Sequence, residues 1–137
     1  MTDSPPFAFS TDIEVRFADL DAYGHVNNAV FFTYLETART KLFLHNFLNF
    51  LDGGLFFLVV RAECDYRQPI RLADRVVVSM TVSRLGRSSF DLDYTIHDGK
   101  GVTFAGAKTV MVCFDRHRGR PVSLPEDFRQ ALGASRK

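Results

Sequence analysis

The segment from about Asn28 to Phe50 constrains the fold most strongly, because it predicts a long helix that is apolar on nearly every side. Apolar residues recur along one helical face at spacings of four, three and four: Phe31, Leu35, Ala38 and Leu42. Other faces carry further apolar side chains: Val30, Tyr34, Phe43, Phe47 and Phe50. A helix of this kind needs cover on all sides, so we expect the rest of the chain to wrap around it.

Strand patterns occupy most of the remaining sequence. Ile13, Val15 and Phe17 alternate with charged residues, which predicts a half-buried strand before the helix. Residues 52–54, which read Asp-Gly-Gly, are expected to end the helix. Four strands are then predicted: a buried strand at Leu55–Tyr66, alternating strands at Val76–Val82 and Phe90–Ile96, and a final strand that starts near Val102 and contains Val110, Val112 and Phe114.

Turn residues separate the later strands at positions 86–87 and 98–101, as expected for hairpins. We therefore predict an α+β fold, in which a curved antiparallel sheet of about five strands wraps round one long central helix. The sheet would have exposed edges, and pairing these edges between copies of the chain would remove one of them. We expect a homodimer or a homotetramer.

Composition limits the possible classes of protein. With 137 residues, 46% of them hydrophobic, the chain is expected to form a single domain over residues 1–137, with a loose arm at residues 1–10. The 17 Lys and Arg nearly balance the 16 Asp and Glu, which argues against a nucleic-acid partner. The longest apolar run, Leu55–Val60, is far short of the roughly 20 residues that a membrane span needs.

The N-terminal residues show no basic stretch followed by an apolar one, so we expect no secretory signal and a cytoplasmic location. Cys64 and Cys113 both fall in strand-like segments. We interpret them as reduced, buried thiols, although a disulfide is possible on count alone.

The stretch from Asp19 to Asn28, which reads D-L-D-A-Y-G-H-V-N-N, carries two carboxylates, an imidazole and two amides immediately before the helix. A helix N-terminus offers unpaired backbone N–H groups and a partial positive charge, and both stabilise a developing oxyanion. A nearby carboxylate can supply the base or the nucleophile. The loop therefore indicates a site at which a carbonyl group is polarised and attacked.

This arrangement resembles the hot-dog fold, and its loop is similar to that of the acyl-CoA thioesterases named for 4-hydroxybenzoyl-CoA thioesterase, particularly the bacterial long-chain acyl-CoA thioesterases. The resemblance rests on five motifs: Val15-Arg16-Phe17, Asp19-x-Asp21-x-x-Gly24-His25-Val26-Asn27-Asn28, Tyr34-Leu35-Glu36-x-Ala38-Arg39, Tyr66-x-x-Pro69 and Asp74. It implies hydrolysis of an acyl-CoA to a free acid and CoA, without a metal or redox cofactor, at an active site that lies on a dimer interface.

The resemblance implies that Asp21 is the catalytic base or nucleophile and that the backbone N–H near Asn28 holds the oxyanion. No strong general acid is needed, since a thiol has a pKa of about 8.5 and leaves readily as a thiolate. By itself, Asp21 would be interpreted as a turn-forming or helix-capping residue. His25 is predicted to support catalysis, with a hydrogen-bonded loop histidine as the alternative. Asp19 is predicted to be structural, bonding loop amides or Arg16.

Two other interpretations involve nearby carboxylates. A different hot-dog branch uses a glutamate on the helix, which makes Glu36 a rival to Asp21, but its spacing to Arg39 and Thr40 favours a structural pairing. The loop carboxylates and His25 could ligate a metal ion, yet no second histidine or cysteine pair completes a site. We therefore predict no metal.

Substrate-binding residues are predicted in two places. Gly24 and Asn27 belong to the loop, and the turn Gly86-Arg87-Ser88-Ser89 lies where the family runs pantetheine and phosphate. Arg87 would bind a phosphate, and Ser88 and Ser89 would bond the pantetheine amides. A hairpin with a solvated arginine is the alternative. The basic run at 116–120 (R-H-R-G-R) is a second candidate for the phosphates, or a solvated turn.

Two other functions compete with thioester hydrolysis. A hot-dog protein can bind an acyl thioester without cleaving it, but a buried carboxylate beside the thioester would not help such a binder. A hydratase or dehydratase of the same fold needs a paired Asp and His that transfer protons to the acyl chain, and His25 is not obviously placed for that. The physiological acyl group is not readable from the sequence.

Overall fold

The computed structural model describes residues 8–46 and 54–133. In this part of the chain the elements follow the order β1 (Ala8–Ile13), α1 (Asn28–Asn46), β2 (Leu55–Tyr66), β3 (Val76–Leu85), β4 (Ser89–His97), β5 (Thr103–Asp115), β6 (Arg120–Pro121) and α2 (Glu126–Gly133). A short 3-10 turn, Phe17–Asp19, precedes α1. All the strands belong to one antiparallel sheet with the order β1-β3-β4-β5-β2, and β6 pairs with β5.

The sheet covers α1, as the sequence predicts. The four residues of the predicted helical face are all buried: Phe31, Leu35, Ala38 and Leu42. The alternating residues of β3 and β4 that face them are buried as well: Val76, Val78, Met80, Val82, Phe90, Leu92, Tyr94 and Ile96. Burying each large apolar side chain stabilises the fold by about 1.5–3 kcal/mol relative to its exposure. The predicted α+β hot-dog architecture is confirmed.

The first strand lies earlier in the chain than predicted. β1 ends at Ile13, which pairs with Val76, and Phe17 lies in the 3-10 turn with 81% of its surface exposed. The chain turns here because the carboxylate of Asp19 accepts the backbone N–H of Arg16. Residues 8–10 belong to β1, so the predicted loose arm does not include them, and residues 1–7 are outside the described part.

Two strands expose different residues from those predicted. β2 has the predicted bounds but is largely exposed, because within residues 8–46 and 54–133 it lies at the edge of the sheet and pairs only with β5; Val60 is 60% exposed. In β5, Met111 and Cys113 face the core, whereas Val112 is half-buried on the other face. The register explains this, since Met111 pairs with buried Phe90 and cross-strand partners share a face. The predicted end of α1 after residue 46 lies outside the described residues.

The helix α2 was not predicted from the sequence, where everything after α1 was interpreted as strand. Its residues Phe128 and Leu132 are fully buried, and the ring of Phe128 stacks on Phe57 at 4.6 Å. A start signal is present, because Pro125 is followed by two acidic residues in the first turn. This helix covers the end of the sheet where β3 meets β4.

Neither helix of the described part is long and apolar enough to cross a membrane. Cys64 is half-buried and Cys113 is buried, and both are free thiols. Burial raises the pKa of both thiols.

Candidate active site

Backbone hydrogen bonds close the loop between the 3-10 turn and α1 into a compact unit. The carbonyl of Asp19 accepts the N–H of Asn27 at 2.9 Å, and the N–H of Asp21 donates to the carbonyl of His25 at 2.7 Å. Gly24 reverses the chain with a φ of +77°, a conformation that favours glycine. Its N–H donates to the carbonyl of Asp21 at 3.1 Å. The loop backbone is therefore held in a single conformation that fixes the direction of its side chains.

Asp19 anchors this loop to the start of the domain and to α1. Its side chain is 1% exposed and accepts hydrogen bonds from the Arg16 N–H (2.9 Å), the Arg16 guanidinium (2.8 and 3.1 Å) and the Tyr34 hydroxyl (2.7 Å). Burial opposes ionisation of this carboxyl, but the hydrogen bonds outweigh burial and hold its pKa below the ordinary value. Asp19 thus has the structural role that was predicted, with Tyr34 as an additional partner.

Burial is the largest cause that raises the pKa of Tyr34, and the hydrogen bond to Asp19 adds to it. The hydroxyl therefore stays protonated and acts as a donor. Because Tyr34 lies in the second turn of α1, this contact sets the position of the loop relative to the helix axis.

The two carboxylate oxygens of Asp21 differ in their hydrogen bonding. Oδ1 accepts the backbone N–H groups of Tyr23 (2.9 Å) and His25 (3.1 Å), which is the turn-forming role that the sequence offered as an alternative. Oδ2 accepts no hydrogen bond from any described residue. The half-buried carboxylate is thus oriented through one oxygen and leaves the other available.

The N-terminus of α1 leaves one N–H available beside this carboxylate. The side chain of Asn27 caps the helix by accepting the N–H of Ala29 at 2.9 Å, and its carbonyl accepts that of Val30. For the N–H of Asn28, the described residues provide no acceptor. The carbonyl of Asn28 accepts the Tyr66 hydroxyl at 2.9 Å, which ties the helix start to the end of β2.

Asp21 and Asn28 line the same cavity, which has a volume of about 300 Å³. Its other walls come from the loop, the first turn of α1 and the segment after β2: His25, Val26, Phe31, Tyr66, Arg67, Gln68 and Pro69. The rings of Phe31 and Tyr66 meet edge to face at 4.9 Å and form the apolar side of this cavity. An available carboxylate oxygen, an available helix N–H and an aromatic wall therefore surround one space.

The other predicted loop residues are placed differently. His25 lines the cavity, and its side chain makes no hydrogen bond to a described residue. Gly24 and Asn27 do not line it: Gly24 is exposed, and the amide of Asn27 is used as the helix cap. Their geometry gives both residues a role in shaping the loop.

A second cavity, of about 600 Å³, lies at the opposite end of the sheet, and we call it the arginine groove. It brings the two candidate phosphate-binding segments together, since Arg87 and Ser88 line it with Arg118, Arg120, Pro121, Val122 and Ser123. Ser89 does not line it, and its hydroxyl accepts a hydrogen bond from Arg84 at 2.9 Å. Asp115 partly offsets the positive charge, because it pairs with Arg118 at 3.8 Å.

Glu36 does not belong to either cavity. It is exposed on α1, and the predicted structural pairing is not found, since no hydrogen bond or ion pair joins Glu36 to Arg39 or Thr40 among the described residues; Nη1 of Arg39 donates to the hydroxyl of Tyr94 at 3.1 Å. Within residues 8–46 and 54–133, no cluster of three His, Cys, Asp or Glu side chains is arranged to hold a metal ion.

Sequence reasoning missed Tyr66 and Arg67 as parts of the site. Tyr66 belongs to the Tyr66-x-x-Pro69 motif, so a polar aromatic at the end of a strand was the available signal. No pattern in the sequence marks Arg67. Its place in the site becomes visible only in the structure, where its N–H pairs with the Phe104 carbonyl and the chain bends toward the cavity.

The chain is similar to several known proteins. The family described as the thioesterase-like superfamily matches residues 15–132. The long-chain acyl-CoA thioesterase FadM of Escherichia coli is 32% identical, over 89% of this chain and 95% of its own length. A 1,4-dihydroxy-2-naphthoyl-CoA hydrolase of Synechococcus elongatus is also 32% identical, over 86% and 90%.

A solved structure of a thioesterase from Thermus thermophilus, complexed with coenzyme A and Zn, superimposes with a TM-score of 0.79. It is 40% identical in sequence, and the match covers 90% of this chain and 95% of that one. The motifs of the loop and helix, the hot-dog fold and these similarities lead to one conclusion. The chain belongs to the thioesterase-like superfamily.

Proposed function

We propose that the protein hydrolyses an acyl-CoA thioester to the free carboxylic acid and CoA, with Asp21 as the base or nucleophile. One observation carries this proposal: Asp21, which has an available Oδ2, and Asn28, which has an available N–H, line the same cavity. A thioester carbonyl placed between them would have its oxygen at the positive end of α1 and its carbon facing the carboxylate. Two relatives are named for the CoA thioesters on which they act, and these names support the same substrate class.

In the general-base route, a water molecule attacks the thioester carbon while Asp21 accepts its proton. The negative charge that develops on the carbonyl oxygen is held by the Asn28 N–H, a contact of a kind worth ~3–4 kcal/mol in other enzymes. The C–S bond then breaks, the thiolate leaves, and the proton on Asp21 can return to it. In the nucleophilic route, Asp21 attacks the carbon itself, the C–S bond breaks and the thiolate leaves, and water then hydrolyses the resulting anhydride to the free acid and the Asp21 carboxylate.

Within a single chain, one substrate would have to span the length of the sheet to reach both cavities. Tyr66 pairs with Ala105 and Leu55 pairs with Asp115, so the ends of β2 are separated by roughly 30 Å at the usual rise per residue. The Asp21 cavity lies at the Tyr66 end. The arginine groove lies at the Leu55 end, where Arg116 donates its N–H to Gly54.

A second copy of the chain would solve this problem. The free edge of β2 exposes Leu58, Val59 and Val60, and antiparallel pairing of two such edges would bury them. Such pairing places the Tyr66 end of one β2 beside the Leu55 end of the other. The Asp21 cavity of one copy would thus adjoin the arginine groove of the other, and a CoA molecule would extend between them.

The first test is thiol release from short-chain, long-chain and aromatic acyl-CoAs by the wild type and Asp21→Asn. We expect the substitution to lower kcat/KM by about 10²–10⁴ while the circular dichroism spectrum and oligomeric state persist. Asp93→Asn, which neutralises a half-exposed carboxylate on β4, is the matched control. Turnover by Asp21→Asn equal to that of the control would refute the role of Asp21, and binding of acyl-CoA without thiol release by the wild type would refute hydrolysis.

The shared site is tested by mixing Asp21→Asn with a double variant, Arg87→Ala and Arg118→Ala, under conditions that exchange subunits. Each parent lacks one half of every site, but a mixed dimer would contain one site with both halves intact. At low acyl-CoA concentration we expect the mixture to recover up to about a quarter of the wild-type rate, because half of the dimers would be mixed. If the site combined the cavity and the groove of one chain, or did not include the groove, mixing would not raise the activity above that of the two parents.

A further inference from the structure

All four carbonyl oxygens of the turn that carries Arg87, residues 86–89, accept hydrogen bonds. Ser89 O accepts the N–H of Gly86 at 2.7 Å, and Ser88 O accepts that of Cys113 at 2.8 Å. The carbonyls of Gly86 and Arg87 accept hydrogen bonds from α2 and the segment before it. With these oxygens held by other donors, the turn presents Arg87 and Ser88 to the arginine groove.

Arg129, on α2, makes two of these contacts. Its Nη2 atom donates to the Gly86 carbonyl at 2.7 Å and to the Arg87 carbonyl at 3.1 Å. The backbone adds a third contact, because Leu124 N–H donates to the same Arg87 carbonyl at 2.9 Å. Arg129 is half-buried and does not line the groove, so its guanidinium is directed at the turn.

We propose that Arg129 is a positioning residue that holds the Gly86–Ser89 turn in the conformation that presents Arg87 and Ser88 to the nucleotide phosphates of CoA. The inference rests on the proposed role of the arginine groove as the nucleotide site. Its consequence is that α2, which contributes no residue to the Asp21 cavity, determines how tightly the CoA part of the substrate is bound.

The fold of α2 makes this role possible. Phe128, next to Arg129 in the chain, stacks on Phe57 and contacts Phe90 at 5.5 Å, so the helix is fixed on the core. Both bonds come from Nη2, which lies one bond farther along the side chain than the Nζ of a lysine, so a lysine keeps the charge but reaches these carbonyls less well. A change that keeps the charge therefore separates positioning from electrostatic attraction.

The test compares Arg129→Met and Arg129→Lys with Arg75→Met, which removes a positive charge from an exposed pair with Asp12 outside the groove. Each variant is assayed on one acyl group carried by CoA and by pantetheine, which lacks the nucleotide and its phosphates. For Arg129→Met we expect KM for acyl-CoA to rise about 5–10-fold at unchanged kcat, with kcat/KM for the acyl-pantetheine within twofold of wild type. If positioning is the main role, the KM of Arg129→Lys for acyl-CoA should stay raised by at least half as much as that of Arg129→Met.

An unchanged KM of Arg129→Met for acyl-CoA would overturn the proposal. So would an equal loss on both substrates, which indicates general damage, or full rescue by Arg129→Lys, which indicates attraction by charge alone. The double variant Arg87→Ala and Arg118→Ala distinguishes failure of the positioning role of Arg129 from failure of the groove as the nucleotide site. If that variant also binds acyl-CoA normally, the groove is not the nucleotide site, whereas a raised KM there with a normal Arg129→Met refutes only the positioning role.

Discussion

The two ends of the sheet are held together by different kinds of interaction. At the Asp21 end, a buried carboxylate, a guanidinium and a tyrosine hydroxyl fix the loop through short hydrogen bonds. At the arginine groove, stacked aromatic rings fix α2, and the charged side chains extend from this apolar base into solvent. Directional polar contacts can place single atoms, as the proposed attack on a carbonyl would require. A nondirectional core is sufficient for the proposed role of the arginine groove, which is to present positive charge.

The stabilities of the two ends should depend differently on pH. The aromatic end gains its stability from burial of large apolar surfaces, which depends weakly on pH. The polar end depends on the ionisation of Asp19 and the protonation of Tyr34, so its stability varies with pH. Substitutions at the two ends should therefore differ both in size and in pH dependence.

The largest loss of stability is expected for Phe128→Ala. The ring is fully buried, stacks on Phe57 and Phe43 and is tilted against Phe90, with ring centroids 4.6–6.4 Å apart, so its removal leaves a cavity. We expect the free energy of unfolding to fall by about 3–5 kcal/mol, measured by urea denaturation. Phe17→Ala, at an 81% exposed position, should change it by no more than about 0.5 kcal/mol. Similar losses for both variants would contradict an aromatic anchor for α2.

A smaller loss is expected for Asp19→Ala, which removes the centre of the polar end. The variant leaves the buried Tyr34 hydroxyl and the Arg16 N–H without their acceptor, for a cost of about 2–4 kcal/mol. It should also lower kcat more than it raises KM, because the loop that orients Asp21 loses its anchor. Asp93→Ala is the control for loss of a carboxylate. Should urea denaturation give the same midpoint for both, the anchor role of Asp19 would be wrong.

The helix and most of the strands could be predicted because each forms by local periodicity. The helical face through Leu35 and the alternation through Leu92 are set by which residues can be buried, and both were confirmed. Within a single chain β2 is not the buried strand that was predicted, because an apolar run does not show whether a strand is central or lies at an edge. Its exposure becomes understandable only from the strand order.

The site could be predicted in part for the same reason. Asp21, His25 and Asn28 lie in one loop, so a local motif locates them together, and they line one cavity. The arginine groove combines residues about thirty positions apart, from the turn after β3 and the segment around β6, and sequence distance gives no sign of their proximity. Tyr34 was interpreted as a core residue, because its hydrophobic position on the helix conceals the hydrogen bond of its hydroxyl.

The smallest effect, and the most specific to the polar end, is expected for Tyr34→Phe. Loss of the hydroxyl removes one donor to Asp19 and should cost about 1 kcal/mol at neutral pH.

Asp19 has a lowered pKa, so its ionisation stabilises the folded state above the ordinary value of 3.8, and this contribution is lost as the pH falls through the folded value. Tyr34 has a raised pKa, so its contribution is complete below the ordinary value of 10.0 and is lost as the pH rises above it. The difference in unfolding free energy between wild type and Tyr34→Phe should therefore be greatest near neutrality and narrow at both extremes. Urea denaturation across this range measures it, and a difference that is constant with pH would show that the hydroxyl does not act through Asp19.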